Sequence, residues 1–280
     1  MRTDLPGLER AIEAVTANGV PFVALPPEEP TDARGLVLLW HGADPPRSDA
    51  ALAAAVPLRR LPAWRVYLGM PLYGRRAPAG GFAEVVRLAY QDAVTLVFQP
   101  SIGGAVAELP AALDDVRARL GIDAALPLGL FGFSQGGAAA LLALCQHEVR
   151  FRAAVTWGAA IDLPAVVDAV GNLYGVPYDW TAERRALAER LSTTRCGPAL
   201  AASGAAILLA FGADDPLPVR EPAEQLAAAI RAAGGVAEAR MVPGLAHGFV
   251  EQPGQEAAPQ GPEARAVDAL ATEWFNRYLF

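Results

Sequence analysis

Short, unbroken apolar runs alternate with amphipathic segments along most of the chain. Residues 36–40, 128–133, 153–157 and 206–211 are continuous apolar stretches, the pattern of strands buried on both faces in a parallel sheet. Residues 20–25 and 65–70 read as two further strands, and 236–242 alternates as a less buried strand near a sheet edge. Helical spacing fills the intervals. Residues 82–120 form a largely helical region interrupted near 100–104. Its second half places Val106, Leu109, Leu113, Val116 and Leu120 on one face, with Asp114, Asp115, Arg117 and Arg119 off it. Residues 221–233 read as a helix, and 264–278 as a closing helix with Val267, Leu270, Ala271, Trp274 and Tyr278 inward. Near the N terminus Leu8, Ile12 and Val15 have the spacing of a short amphipathic helix stopped by Asn18-Gly19. Strands alternating with helices predict an α/β fold, a mostly parallel central sheet with helices on both faces.

Two stretches depart from this alternation. Residues 160–203 lie between two strands, too long for an ordinary crossover. They contain two helical segments, 164–170 and 181–191, with Pro164 in a first turn where a missing N–H costs nothing. They are expected to form a helical cap inserted within a single domain spanning residues 1–280. Tyr174, Tyr178 and Trp180 of this cap, with Trp157 at the end of the preceding strand, are candidates for the wall of a substrate pocket; packing the cap onto the body would use the same aromatics equally well. Residues 251–262, rich in Pro, Gly and Gln, read as a mobile loop.

Composition narrows the chemistry. At 280 residues and 53% hydrophobic the chain can bury a full core, and its net charge of −7 argues against a nucleic-acid partner. All 23 basic residues are arginine. Without lysine there is no Schiff base, no pyridoxal phosphate attachment, no P-loop lysine and no Ser-Lys dyad. Cys145 and Cys196 form no CxxC and read as small buried hydrophobes. Three histidines, His41, His147 and His247, have no metal-ligand spacing, so neither a metal nor a cofactor is expected. The first six residues, MRTDLP, lack the apolar core of a signal peptide. Residues 124–147 carry no formal charge over a length that could span a membrane, but Pro127, Ser134, Gln135 and several glycines interrupt them. A cytoplasmic protein without a membrane partner is expected, with homodimerisation left open.

The run from Leu128 into Gly132-Phe133-Ser134-Gln135-Gly136 explains that uncharged stretch differently. A buried strand, a tight turn and a small-residue helix would hold a serine in strained backbone geometry, hydroxyl exposed and helix N–H groups at its back. Such a serine needs a base, an acid to orient the base, and donors for an oxyanion. Three loops past strand ends supply them. Gly212-Ala-Asp-Asp-Pro carries two carboxylates, of which Asp215 is favoured over Asp214, with Asp162 a further alternative. Pro243-Gly-Leu-Ala-His247 carries the base. His41-Gly42-Ala43 follows residue Trp40, and the backbone amides of Ala43 and Gln135 are the expected oxyanion donors, with His41 bracing the loop. His147 reads as a cation at a helix C terminus.

Taken together, His41-Gly42, Gly132-x-Ser134-x-Gly136, Gly212-x-x-Asp215 and His247-Gly248-Phe249 resemble the α/β-hydrolase family, from about residue 36 to the C terminus. The His-Gly-Phe ending and final Trp274-Phe275 helix look most like dienelactone hydrolase-like and prolyl-oligopeptidase-like members. The former typically carry cysteine where this chain has Ser134. The latter carry a large propeller for which 280 residues leave no room. A serine nucleophile sets the chain apart from the dehalogenases and epoxide hydrolases of the family, which use aspartate. The resemblance implies a stand-alone serine carboxylesterase acting on small esters through an acyl-enzyme, without cofactor. Thioester, lactone or short-peptide cleavage and acyl transfer are the alternatives; a binding protein that keeps the pocket without turnover is the rival outside enzymes.

Overall fold

The computed structural model describes residues 8–29, 33–146 and 148–280. His147, read above as a helix-terminal cation, lies outside them. Among the described residues, eight strands form one sheet: β1 (Ile12–Val15), β2 (Pro21–Leu25), β3 (Leu36–Trp40), β4 (Trp64–Leu68), β5 (Leu128–Phe133), β6 (Ala153–Trp157), β7 (Ala206–Gly212) and β8 (Ala237–Val242). Their spatial order is β1-β2-β4-β3-β5-β6-β7-β8. β1–β2 and β2–β4 pair antiparallel, and every pair from β4–β3 onward is parallel. The mostly parallel sheet follows from the unbroken apolar strands, which bury both faces.

Alternate residues of those strands feed two separate cores. Leu36, Leu38, Trp40, Leu130, Ile207 and Leu209 point to one face; Val37, Leu39, Phe131, Val155 and Leu208 point to the other. The first face is covered by the long helical run α2 (Gly81–Ala93), a π-helical stretch (Val94–Gly103) and α3 (Gly104–Leu120), together with α4 (Gln135–Gln146) and α8 (Arg220–Ala232). The second is covered by α1 (Asp49–Ala55) and α9 (Pro262–Tyr278). The run 81–120 is long and apolar enough to cross a membrane by length and composition, yet half of its most apolar window is buried in the protein. Asp92, with φ −165° and ψ 92°, breaks the helical backbone at the end of α2.

One element differs in kind from the reading above. Ile12 and Val15 belong to β1, an exposed edge strand paired with β2, and Leu8 lies buried before it, so the three do not share a helix face. Four residues are too few for periodicity to decide. The Asn18-Gly19 dipeptide, with Gly19 at φ +86°, closes a hairpin.

Between β6 and β7 stand three helices, α5 (Leu163–Leu173), α6 (Ala182–Leu191) and α7 (Gly197–Ala202). α5 packs on α6 and α6 on the π-helical stretch, whereas α7 packs on α4 and α8 and so belongs to the body. The loop after β8 is bonded to the body: Arg47 N–H donates to Gly254 O (2.8 Å), Ser48 Oγ to Gln255 O (2.6 Å), and Gln260 Nε2 to Ala55 O (2.8 Å).

Candidate active site

β5 ends at Phe133 and α4 begins at Gln135, which leaves Ser134 alone to make the turn. Its φ of +53° is a left-handed conformation that non-glycine residues rarely hold. The turn is possible because the residues two before and two after the serine, Gly132 and Gly136, have no side chain. A Cβ on Gly132 would lie 2.3 Å from the Gly136 carbonyl oxygen, and one on Gly136 2.4 Å from that of His41. The turn is pinned by Ser134 N–H donating to Trp157 O (2.9 Å), and Ala138 N–H to Ser134 O (3.0 Å).

The structure brings Ser134, His247 and Asp215 together. Ser134 Oγ lies 2.9 Å from His247 Nε2, and His247 Nδ1 lies 2.7 Å from Asp215 Oδ2. All three side chains are nearly enclosed, with Asp215 only 1% exposed. Asp215 Oδ1 is held by the Leu217 N–H at 2.9 Å, which points the other oxygen at the imidazole. Asp214 is exposed, and Asp162 caps α5 by accepting from Ala165 N–H at 3.1 Å, so neither alternative acid faces the histidine.

The loop carrying Ala43 is fitted against the serine turn. A Cβ on Gly42 would come within 2.7 Å of Ser134 Cβ. His41 is fully buried. Its Nδ1 donates to Gly42 O (2.8 Å) and its Nε2 accepts from Met70 N–H (3.1 Å). Burial lowers its pKa, against the raising effect of the Gly42 carbonyl, so it stands as a neutral brace. Gln135 begins α4, where its N–H has no helical partner. Its side chain is drawn off by Tyr73 and Ser101: Gln135 Nε2 donates to Tyr73 OH (3.1 Å) and Ser101 Oγ stands 2.7 Å from Gln135 Oε1.

The aromatic candidates sort differently. Trp157 is not a pocket wall. It is fully buried, and its Nε1–H donates to His247 O at 2.9 Å. It sits in an edge-on cluster with Phe249, which packs on Phe133, itself against the His247 ring. Strand periodicity placed Trp157 at the sheet end without saying that its indole would reach the histidine loop. Tyr178 and Trp180 stack edge to face at 4.7 Å and are tied into the seam beside α5 and α6: Tyr178 OH donates to Asp92, and Trp180 Nε1 to Asp168 Oδ1 at 2.6 Å. Tyr174, at the end of α5, is 66% exposed.

Gly158 escaped the sequence reading. It has φ +54°, and a Cβ there would lie 2.9 Å from both Cε1 and Nδ1 of His247 and 3.3 Å from Asp215 Oδ2. Its place right after a buried strand, beside Trp157, was the only available signal.

A model of the prolyl oligopeptidase family matches residues 107–276. No curated protein matches the sequence. Among solved structures, the chain is similar to a puromycin-hydrolyzing peptidase of Mycobacterium tuberculosis, with a TM-score of 0.65 and 20% identity over 99% of this chain and 41% of that one. It therefore spans about two fifths of that protein's length. It is also similar to a dienelactone hydrolase from Anabaena variabilis (TM-score 0.61, 22% identity, 97% of this chain and 100% of that one). A third likeness is a highly thermostable carboxyl esterase from Bacillus coagulans (TM-score 0.64, 12% identity, 96% and 98%). These likenesses identify the fold as that of the α/β-hydrolases. The family match takes in more than half of the chain, the serine turn, the acid loop and the histidine loop included, and with it the chain is a hydrolase that belongs to the prolyl oligopeptidase family.

Proposed function

We propose that the protein hydrolyses small carboxylic esters through an acyl-enzyme formed on Ser134. The observation that carries this reading is the unbroken Ser134–His247–Asp215 hydrogen-bonded chain at 2.9 and 2.7 Å. Ser134 Oγ attacks the carbonyl carbon while its proton passes to His247 Nε2. Asp215 keeps Nδ1 protonated and offsets the charge of the imidazolium. The amides of Ala43 and Gln135 receive the oxyanion. Collapse expels the alcohol, which takes the proton from Nε2. Water then repeats the sequence on the acyl-enzyme and releases the acid. In this reading residues 163–191 cover the acyl pocket as a cap, with Tyr174 at its edge.

Family membership favours a second reading, cleavage of small amides or short peptides by the same residues. One experiment serves both. Chromogenic 4-nitrophenyl esters of rising acyl length, set beside the matching 4-nitroanilides, are assayed with wild type and Ser134→Ala. Ester turnover that falls with chain length and disappears in the variant supports the ester reading; nitroanilide turnover at comparable rates supports the peptidase. Activity surviving in Ser134→Ala would sink both.

A further inference from the structure

A second carboxylate faces the reacting side of the histidine. Asp44 Oδ2 lies 3.5 Å from His247 Nε2, the nitrogen that also touches Ser134 Oγ. Asp215 occupies the other nitrogen, so Asp44 stands on the cleft side, and its side chain is 50% exposed. The relay above does not use it. Among the described residues, no arginine stands within ion-pair distance of it. Arg47, three residues along, acts on Asp44 only at longer range; its guanidinium is drawn onto Gln252 Oε1 (2.8 Å) and over the Phe82 ring (4.3 Å).

Asp44 is also held in place. The next residue accepts from the histidine loop, Phe249 N–H to Pro45 O at 3.2 Å, and Arg47 N–H donates to Gly254 O. The preceding residue is Ala43, the proposed oxyanion donor. With the oxyanion assignment proposed above, two consecutive residues of one clamped loop would offer an amide to the carbonyl oxygen and a carboxylate beside the histidine that serves it.

That placement has an electrostatic consequence. An uncompensated carboxylate beside the serine opposes the negative charge that develops on the carbonyl oxygen, and it does so most in a water-poor cleft. A positive charge on the acyl group cancels the opposition and pairs with the carboxylate. Geometry selects where that charge sits. A carbonyl carbon poised about 3 to 3.5 Å from Oγ carries an α-amino nitrogen about 2.5 Å further on, within reach of a carboxylate that borders Nε2.

We infer that Asp44 is an ammonium-binding residue that makes the enzyme selective for acyl groups bearing a free α-amine, the aminoacyl esters or amides. This rests on the serine-hydrolase reading above and names the acyl half of its substrate.

The test uses an isosteric pair, L-alanine methyl ester and methyl isobutyrate, in which a methyl replaces the ammonium. Their kcat/KM ratio is measured in wild type and Asp44→Asn, with 4-nitrophenyl acetate as the check on the serine chemistry. The expected wild-type ratio favours the alanine ester by about 10- to 100-fold, the range for a charge-assisted hydrogen bond, and the ratio collapses towards one in Asp44→Asn. A wild-type ratio near one overturns the inference. So does an Asp44→Asn variant that loses activity on both esters alike while keeping their ratio, since Asp44 would then act on the imidazolium and not on substrate. Where wild type hydrolyses 4-nitrophenyl acetate but neither methyl ester, or none of the three, the readout is labelling. Diphenyl 1-aminoethylphosphonate and diphenyl isopropylphosphonate each form an Oγ–P bond with loss of phenol, scored at Ser134 by intact mass. Faster labelling by the amine, lost in Asp44→Asn, upholds the inference. Equal rates overturn it alone, and no labelling overturns the serine reading with it.

Discussion

At the scale of single residues, two carboxylates adjacent in sequence have unlike surroundings. Asp215 is enclosed and bonded to His247 Nδ1, while Asp214 projects into solvent. Asp215→Asn is expected to lower kcat about 10⁴-fold, because an amide cannot hold the imidazole tautomer that leaves Nε2 free to accept. Asp214→Asn should leave kcat close to wild type. Steady-state kinetics on one chromogenic substrate checks both, and the reverse result would exchange their roles. Gly158 gives a second prediction. Alanine there costs about 1–2 kcal/mol for its left-handed backbone and presses its methyl on the His247 ring. A displacement of that kind is worth about 100-fold in kcat, with a melting temperature lowered by a few degrees at most and little change in KM. That Ser134, His247 and Asp215 would come together could be read from sequence because strand ends carry loops and each loop held one suitable residue type. Trp157 and Gly158 could not, since what they do depends on which loop folds back over them.

At the scale of elements, the elbow was readable because its apolar strand and glycine spacing are local. β1 was misread, and α1 went unseen, because short elements are decided by tertiary pairing more than by their own periodicity. Residues 163–191 are intermediate: their helices were visible, their attachment was not. That attachment centres on Asp92, which accepts from Thr95 N–H at 3.0 Å, from Tyr178 OH, and from Arg184 Nε at 2.9 Å. Burial pushes the Asp92 pKa up, but those hydrogen bonds and the Arg184 charge outweigh it and leave it below the ordinary aspartate value. Its contribution is therefore present above about pH 4 and is lost as pH falls through its lowered folded value. Asp92→Asn should loosen residues 163–191 at neutral pH without unfolding the sheet. Hydrogen exchange would show amides of α5 and α6 speeding up while those of α4 and β5 stay protected; equal acceleration everywhere would mean that the seam is part of the global fold.

At the scale of the whole molecule, the site rests on His41, a fully buried ring that follows β3, accepts from the Met70 N–H just past β4 and meets Tyr73 edge-on. Burial holds its pKa below 6.5 in the folded protein, and unfolding returns it to about 6.5. Below that value the unfolded chain binds a proton that the folded chain refuses. Folding stability must then rise with pH through the window beneath 6.5, and fall as the solution is acidified through it. Asp268 behaves oppositely at lower pH: burial raises its pKa against the Leu58 N–H bond, so the folded state takes its proton first and acid favours folding there. The two windows separate the groups. His41→Gln removes the first. Urea midpoints measured from about pH 8 to pH 5.5 should fall for wild type and stay flatter for the variant, which begins lower because Met70 N–H and the Gly42 carbonyl lose a matched partner. Parallel curves would mean that His41 takes up its proton equally in the folded and unfolded states, and a neutral His41 would then not be what braces the loop carrying Ala43.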